Sequence, residues 1–160
     1  MSIEQFKNDL SELYQGEILG EVLFDQMLSH FQTPDEQYKL SVLLQLETET
    51  KARLRPHVAF LGINLQEQTE SRKAGLDIAL SLAGKSWEEA MSDIRDIVEP
   101  AVNRYKEIAS SAPPEYRQLA ESMLLHEQSL YEFAQLELSG EGNKFTDAIH
   151  DQIHNKISPP

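Results

Sequence analysis

The chain reads as all-α, a bundle of four long helices folded as one domain. Apolar residues recur at spacings of three and four through four long stretches, which marks helices with one buried face. Glycine and proline fall mostly between those stretches, where the chain must reverse. At 160 residues the chain is long enough to bury a single core.

The first helix is expected over residues 3–31, with Ser2 as N-cap and Ile3, Phe6, Leu10, Leu13, Glu17, Phe24, Leu28 and Phe31 along its stripe. Thr33-Pro34-Asp35-Glu36 supplies a second start: a capping side chain, a proline in the first turn and acidic residues facing the positive helix end. That helix is expected over 34–62, its stripe carrying Leu40, Leu43, Glu47, Thr50/Lys51, Leu54 and Val58, with a kink at Pro56. Residues 63–85 are polar at first and then include a short helix around 76–83, a connection too long for a tight hairpin and suited to a crossover. Ser86 opens a third long helix over 86–110, interrupted by Pro100, and 114–139 forms the fourth, ended by Ser139-Gly140-Glu141-Gly142. The tail, 143–160, contains a short amphipathic segment at 145–154. Short, long and short connections give two antiparallel hairpins joined by one crossover, the ferritin-like arrangement.

The formal net charge of −13 argues against nucleic acid or an anionic membrane as partner through a basic face. With no cysteine, disulfides, thiolate catalysis and Cys-based zinc or iron–sulfur sites are excluded. The opening residues lack the basic and apolar regions of a signal peptide, and no stretch has the run of about 18 apolar residues that a membrane span needs, so a cytoplasmic protein is expected. There is no Gly-rich phosphate loop and no nucleophile elbow.

Glu17, Glu47 and Glu127 occupy stripe positions near the middle of three helices, where leucine is the ordinary choice. A buried carboxylate without a partner costs several kcal/mol, so repeating it requires a cation, protons or a hydrogen-bond network. Carboxylates converging from different helices at one level suit a divalent ion, which removes their mutual repulsion by taking their oxygens as ligands. Glu99 is the central acid of the third helix, but it lies off the stripe by about 100° per residue of offset. It faces solvent as an i,i+4 partner of Arg95 unless a bulge at Pro100 turns it inward. His126, beside Glu127, is either a nitrogen ligand completing a mixed site or a half-buried histidine with local hydrogen bonds. Lys51, one turn after Glu47, offers a metal-free alternative in which an ammonium neutralises part of the cluster. Gly16 and Gly20 are costly inside a helix and imply close approach or room at this level. His150 and His154 have metal-holding i,i+4 spacing, but HDQIH lacks the glutamate that a zinc protease needs as base.

The segments GEILGEVLF (16–24), LLQLETETKARLRP (43–56), IVEPAVNRYKEIA (97–109) and LLHEQSLYEFAQLELSG (124–140) together resemble the ferritin-like, rubrerythrin-related proteins. The resemblance implies a four-helix bundle and a metal-carboxylate centre in which Glu17 and Glu99 match the single-glutamate helices, while Glu47 and Glu127 open the Glu-x-x-His pairs. Both histidines of that pattern are replaced here, by Thr50 and Leu130. The implied site is therefore an altered one, with iron or manganese as metal, Glu17, Glu47 and Glu127 as core ligands, Glu99 and His126 as candidates, and Tyr105 as a neighbouring phenol. Two functions follow: a metal-carboxylate protein, including an oxidoreductase acting on a small-molecule substrate, or a metal-free helical scaffold that binds a partner. A homodimer is expected in either case, because Phe6, Leu19, Leu23, Met27, Leu46, Phe60 and Leu136 lie outside the narrowest core stripes.

Overall fold

A computed structural model describes residues 1–144 together with 149, 152 and 153. Five α-helices, α1 (Ile3–Met27), α2 (Pro34–Phe60), α3 (Thr69–Leu82), α4 (Trp87–Ser111) and α5 (Arg117–Leu138), make up most of it, with no strand among the described residues. Their starts are set by local chemistry. The Ser2 hydroxyl accepts from the Gln5 amide, and reciprocal capping boxes pair Thr33 with Glu36 and Ser86 with Glu89. A single 3₁₀ turn, Pro114–Tyr116, precedes α5.

α1 stops at Met27, earlier than its stripe suggests, and side-chain amides take up the carbonyls just past its end. Gln32 donates to the Leu28 and Ser29 oxygens at 3.1 and 3.0 Å, and Gln37 donates to Leu28 at 2.6 Å. Phe31 then folds back into the core. Both α2 and α4 run on as α-helix through Pro56 and Pro100.

The close backbone approaches fall within α1–α2, α1–α3 and α4–α5. α3 is longer than the helix expected around 76–83 and is a structural element in its own right. Its buried face is Gly75, Ala79 and Leu82. A Cβ at Gly75 would meet the Leu19 carbonyl oxygen, and would stand 3.0 Å from Val22 Cβ and 3.2 Å from the Leu23 amide. Only glycine lets the two helix backbones approach so closely. This docking, with packing inside the subunit, accounts for most of the apolar residues outside the stripes. Phe6, Met27 and Leu46 are fully buried and Leu23 nearly so, whereas Phe60 stays 83% exposed.

The core is divided in two. One cluster, toward the α1 C-terminus, includes Phe24, Met27, Leu43, Ile94 and Phe133; the other, toward the α1 N-terminus, includes Phe6, Leu10, Tyr14, Leu54 and Met123. Side-chain ties cross between the hairpins at both ends. Lys39 of α2 bonds Glu137 of α5 at 2.8 Å, and within the second hairpin the Trp87 indole of α4 donates to the same carboxylate at 2.6 Å. At the other end Arg104 of α4 reaches Asp9 and Glu12 of α1, at 2.7 and 3.1 Å.

The expected tail helix at 145–154, with His150 and His154, lies outside the described residues apart from three positions. Ile149 and Ile153 are buried in the first cluster, and Gln152 donates to the Leu125 carbonyl at 3.3 Å. Among the described residues, no helix is long and apolar enough to cross a membrane.

Candidate metal centre

Between the two apolar clusters lies a level occupied by polar side chains. Glu17 from α1, Glu47 from α2 and His126 from α5 are 1%, 2% and 2% exposed, so each is sealed from bulk water. Helical phase explains their convergence: Glu17 continues the row Phe6–Leu10–Leu13, Glu47 the row Leu40–Leu43, and His126 follows Leu119 and Met123.

The geometry is that of a three-donor set. His126 Nε2 stands 3.4 Å from Glu17 Oε2 and 3.5 Å from Glu47 Oε1. One ligand atom from each of the three residues lies within 4.8 Å of the other two, so the group can hold a metal ion. Those same two carboxylate oxygens are buried without a hydrogen-bond partner. A buried acceptor left unpaired is costly, and a cation between the oxygens would satisfy both. Two carboxylates and one imidazole form a mixed O/N set that suits iron(II), manganese(II) or zinc(II).

Thr50 orients the histidine from behind, its Oγ1 3.3 Å from His126 Nδ1. With a proton on Nδ1 donated to Thr50, the Nε2 lone pair is free to act as a ligand. The ring nitrogen of the cluster therefore comes from α5, and Thr50 of α2, three positions after Glu47, holds it in place.

Glu127 is half-buried, with Oε2 shielded and unpaired. Burial raises its carboxyl to about 7, with His126 opposing and Glu47 adding to the rise. Burial likewise raises Glu17 well above the carboxylate range, against the attraction of His126 and with repulsion from Glu47 and Glu127. For His126 burial favours the neutral ring, but Glu17 and Glu47 outweigh it and push the imidazole up to about 10. Without a metal the cluster therefore retains protons. Burial and the same three carboxylates raise the Tyr105 phenol well above its usual value, keeping it a neutral hydrogen-bond donor.

The structure decides between the alternatives at two positions. Glu99 does not join the cluster: α4 passes Pro100 as regular α-helix, no bulge re-aims the side chain, and Glu99 is exposed. Lys51 is buried on the expected face, but its Nζ pairs with Glu21 and, at 3.0 Å, with Glu67, which fastens the α2–α3 connection to α1 and α2. The bases of the polar level are His126 and Arg53, whose charge lowers Glu17 and whose Nε and Nη2 are buried without partners. Arg53 follows Thr50 by three residues, a spacing that places it beside the same face and was the available sign of its role.

Comparison with protein-family models, with curated proteins and with solved structures finds no match for this chain. On its own residues, it is a helical-bundle protein with a buried Glu-Glu-His cluster at mid-height.

Proposed function

We propose that this protein is a ferritin-like metal-carboxylate bundle protein in which Glu17, Glu47 and His126 hold one iron or manganese ion, with Glu127 as an adjoining carboxylate. The observation that carries the reading is the pair of buried, unpartnered oxygens, Glu17 Oε2 and Glu47 Oε1, both facing His126 Nε2. The pairing of α1 with α2 and of α4 with α5, joined by a long connection, supports the ferritin-like arrangement. When bound, either metal supplies one-electron chemistry with oxygen species, so the activity class is an oxidoreductase. The chain's own part is to exclude water, to orient the imidazole through Thr50, and to keep a proton on the Tyr105 hydroxyl beside the carboxylates.

A metal-free polar core is the second reading, favoured by the upward shift of His126. A protonated imidazole between Glu17 and Glu47 can by itself compensate part of the buried charge. Calorimetric titration of chelator-treated protein with Mn(II), and anaerobically with Fe(II), separates the two. Saturable binding of one ion per chain, lost in Glu17→Gln and in Glu47→Gln, is expected for the metal centre. A flat titration in the folded parent leaves the metal-free core as the correct description.

A further inference from the structure

Between the hairpins, on the α1–α4 side of the cluster, lies a cavity of about 400 Å³. That is within the range of small-molecule sites, which run from about 300 to 1,000 Å³ and combine apolar walls with a few convergent polar groups. Here Leu23, Phe24, Ile94, Val98 and Leu130 form apolar wall, while Glu17, Glu47, Glu127, His126 and Tyr105 gather at one side. Ile97 marks the rim and is 42% exposed, an apolar residue placed where a ligand would pass.

Gly16, Gly20 and Ala101 line the space, and the two glycines let the Tyr105 hydroxyl and the Glu47 carboxylate sit against the α1 backbone at its polar end. At Gly16 a Cβ would stand 2.9 Å from the Tyr105 hydroxyl, and at Gly20 it would stand 2.6 Å from Glu47 Cδ.

The polar end selects the ligand's chemistry. Glu127 Oε2 is buried without a hydrogen-bond partner, and Glu17 Oε2 and Glu47 Oε1 beside it face only His126 Nε2, at 3.4 and 3.5 Å. An anionic head group would have to sit against the Glu47 and Glu127 oxygens, and the cation at the rim, Arg104, is occupied by Asp9 and Glu12. We propose that this cavity binds a small, mostly apolar molecule with one hydrogen-bond-donating head group, an alcohol or an amine, seated with its head at Glu127 and Tyr105 and its body along α1 and α4. The proposal rests on the metal-centre reading for the reaction that follows binding, since the head would lie beside Glu17, Glu47 and His126, but not for binding itself.

The test is calorimetric titration of metal-free protein with 1-octanol, octylamine and octanoate, with Mn(II) titrated separately into the parent. Octanol and octylamine should bind saturably, octanoate at least tenfold more weakly, and Ala101→Phe should weaken octanol at least tenfold by filling the cavity. Should Ala101→Phe fail to fold, Ile97→Trp at the exposed rim serves the same purpose. No saturable octanol binding, a loss below tenfold in the folded variant, or octanoate binding within tenfold of octanol overturns the proposal. A flat Mn(II) titration beside a saturable octanol titration removes the metal reading and leaves the pocket, so the two failures are distinct results.

Discussion

The Gly20 backbone and the Glu47 carboxylate occupy adjoining space, such that a Cβ at position 20 would lie 2.6 Å from Glu47 Cδ. The carboxylate of one helix is seated against the bare backbone of its neighbour. In an ordinary helix interior, glycine to alanine stabilises by about 1 kcal/mol. Here Gly20→Ala should instead destabilise, by about 1–3 kcal/mol, because a buried carboxylate must be displaced in a packed site. Urea unfolding of parent and variant measures the sign, and a Mn(II) titration should show weakened binding through the displaced Glu47.

Stability of the metal-free protein should fall as pH rises from about 4.5 to about 10. Glu127 is raised to about 7 in the fold, so between about 4.5 and 7 the folded state holds more protons than the unfolded chain and loses stability with each step in pH. His126 is raised to about 10. Its contribution is complete below the unfolded value of about 6.5 and is lost as pH climbs through 10. Denaturant midpoints across this range should decline in the parent and decline less steeply over the lower half in Glu127→Gln, where Glu17, also raised by burial, still holds its proton in the fold. Metal binding requires the Nε2 lone pair, so at pH 8 it should release about one proton from His126, read from calorimetric enthalpies in buffers of different ionisation heat. No buffer dependence would count against His126 as a ligand.

Replacing Lys51 by methionine should leave metal affinity unchanged, since its partners are Glu21 and Glu67 and not the central carboxylates. Those two acids are 23% and 31% exposed and can rehydrate, so the loss of stability should be about 1–2 kcal/mol, below the 3–5 kcal/mol typical of stranding a fully buried charge. Thermal melts with and without Mn(II) test both statements. Glu99→Gln, at an exposed position, should be neutral within about 0.5 kcal/mol and leave the titration unaltered.

Gly75→Val should detach α3 from α1, since the new side chain would collide with backbone at Leu19 and Leu23 rather than with a flexible tip. A loss of about 1–3 kcal/mol is expected, with increased binding of a hydrophobic dye as Leu23 and its neighbours are uncovered. Unchanged stability would mean that α3 is only loosely laid on the bundle.

The helical faces were legible because burial imposes a period of 3.6 on any helix that covers a core. Glu17 and Glu47 stood out as acids in that period, but the third donor of the group is His126 and not the expected Glu127, which is only half-buried beside it. Glu99 obeyed its angular offset: proline at position 100 was absorbed without a bulge, so phase alone gave the right answer. Lys51 also lay on its predicted face, but a four-carbon stem lets the ammonium reach sideways to Glu21 and Glu67, and helical phase does not fix where a long side chain ends. α3 was half concealed for a different reason. Its contact is made by Gly75 and Ala79, and small residues that permit close backbone approach leave little hydrophobic signal. Of the apolar residues behind the homodimer expectation, Phe6, Leu23, Met27 and Leu46 are buried within the chain, and Phe60 stays exposed.

The ties at the two ends, Lys39–Glu137 and Arg104 with Asp9 and Glu12, bridge hairpins whose closest backbone approaches are internal to each pair. The seam between them is thus held mainly by side chains. Rotation of Ile97, Leu23 or Leu130 can widen the mouth while every i→i−4 bond of α1 and α4 stays closed. Amide hydrogen exchange, which reports the opening of backbone bonds, will then be nearly blind to traffic through the seam, whereas methyl groups along it will feel each passage. The protein can breathe on the timescale of side chains while its backbone keeps the slow clock of global unfolding.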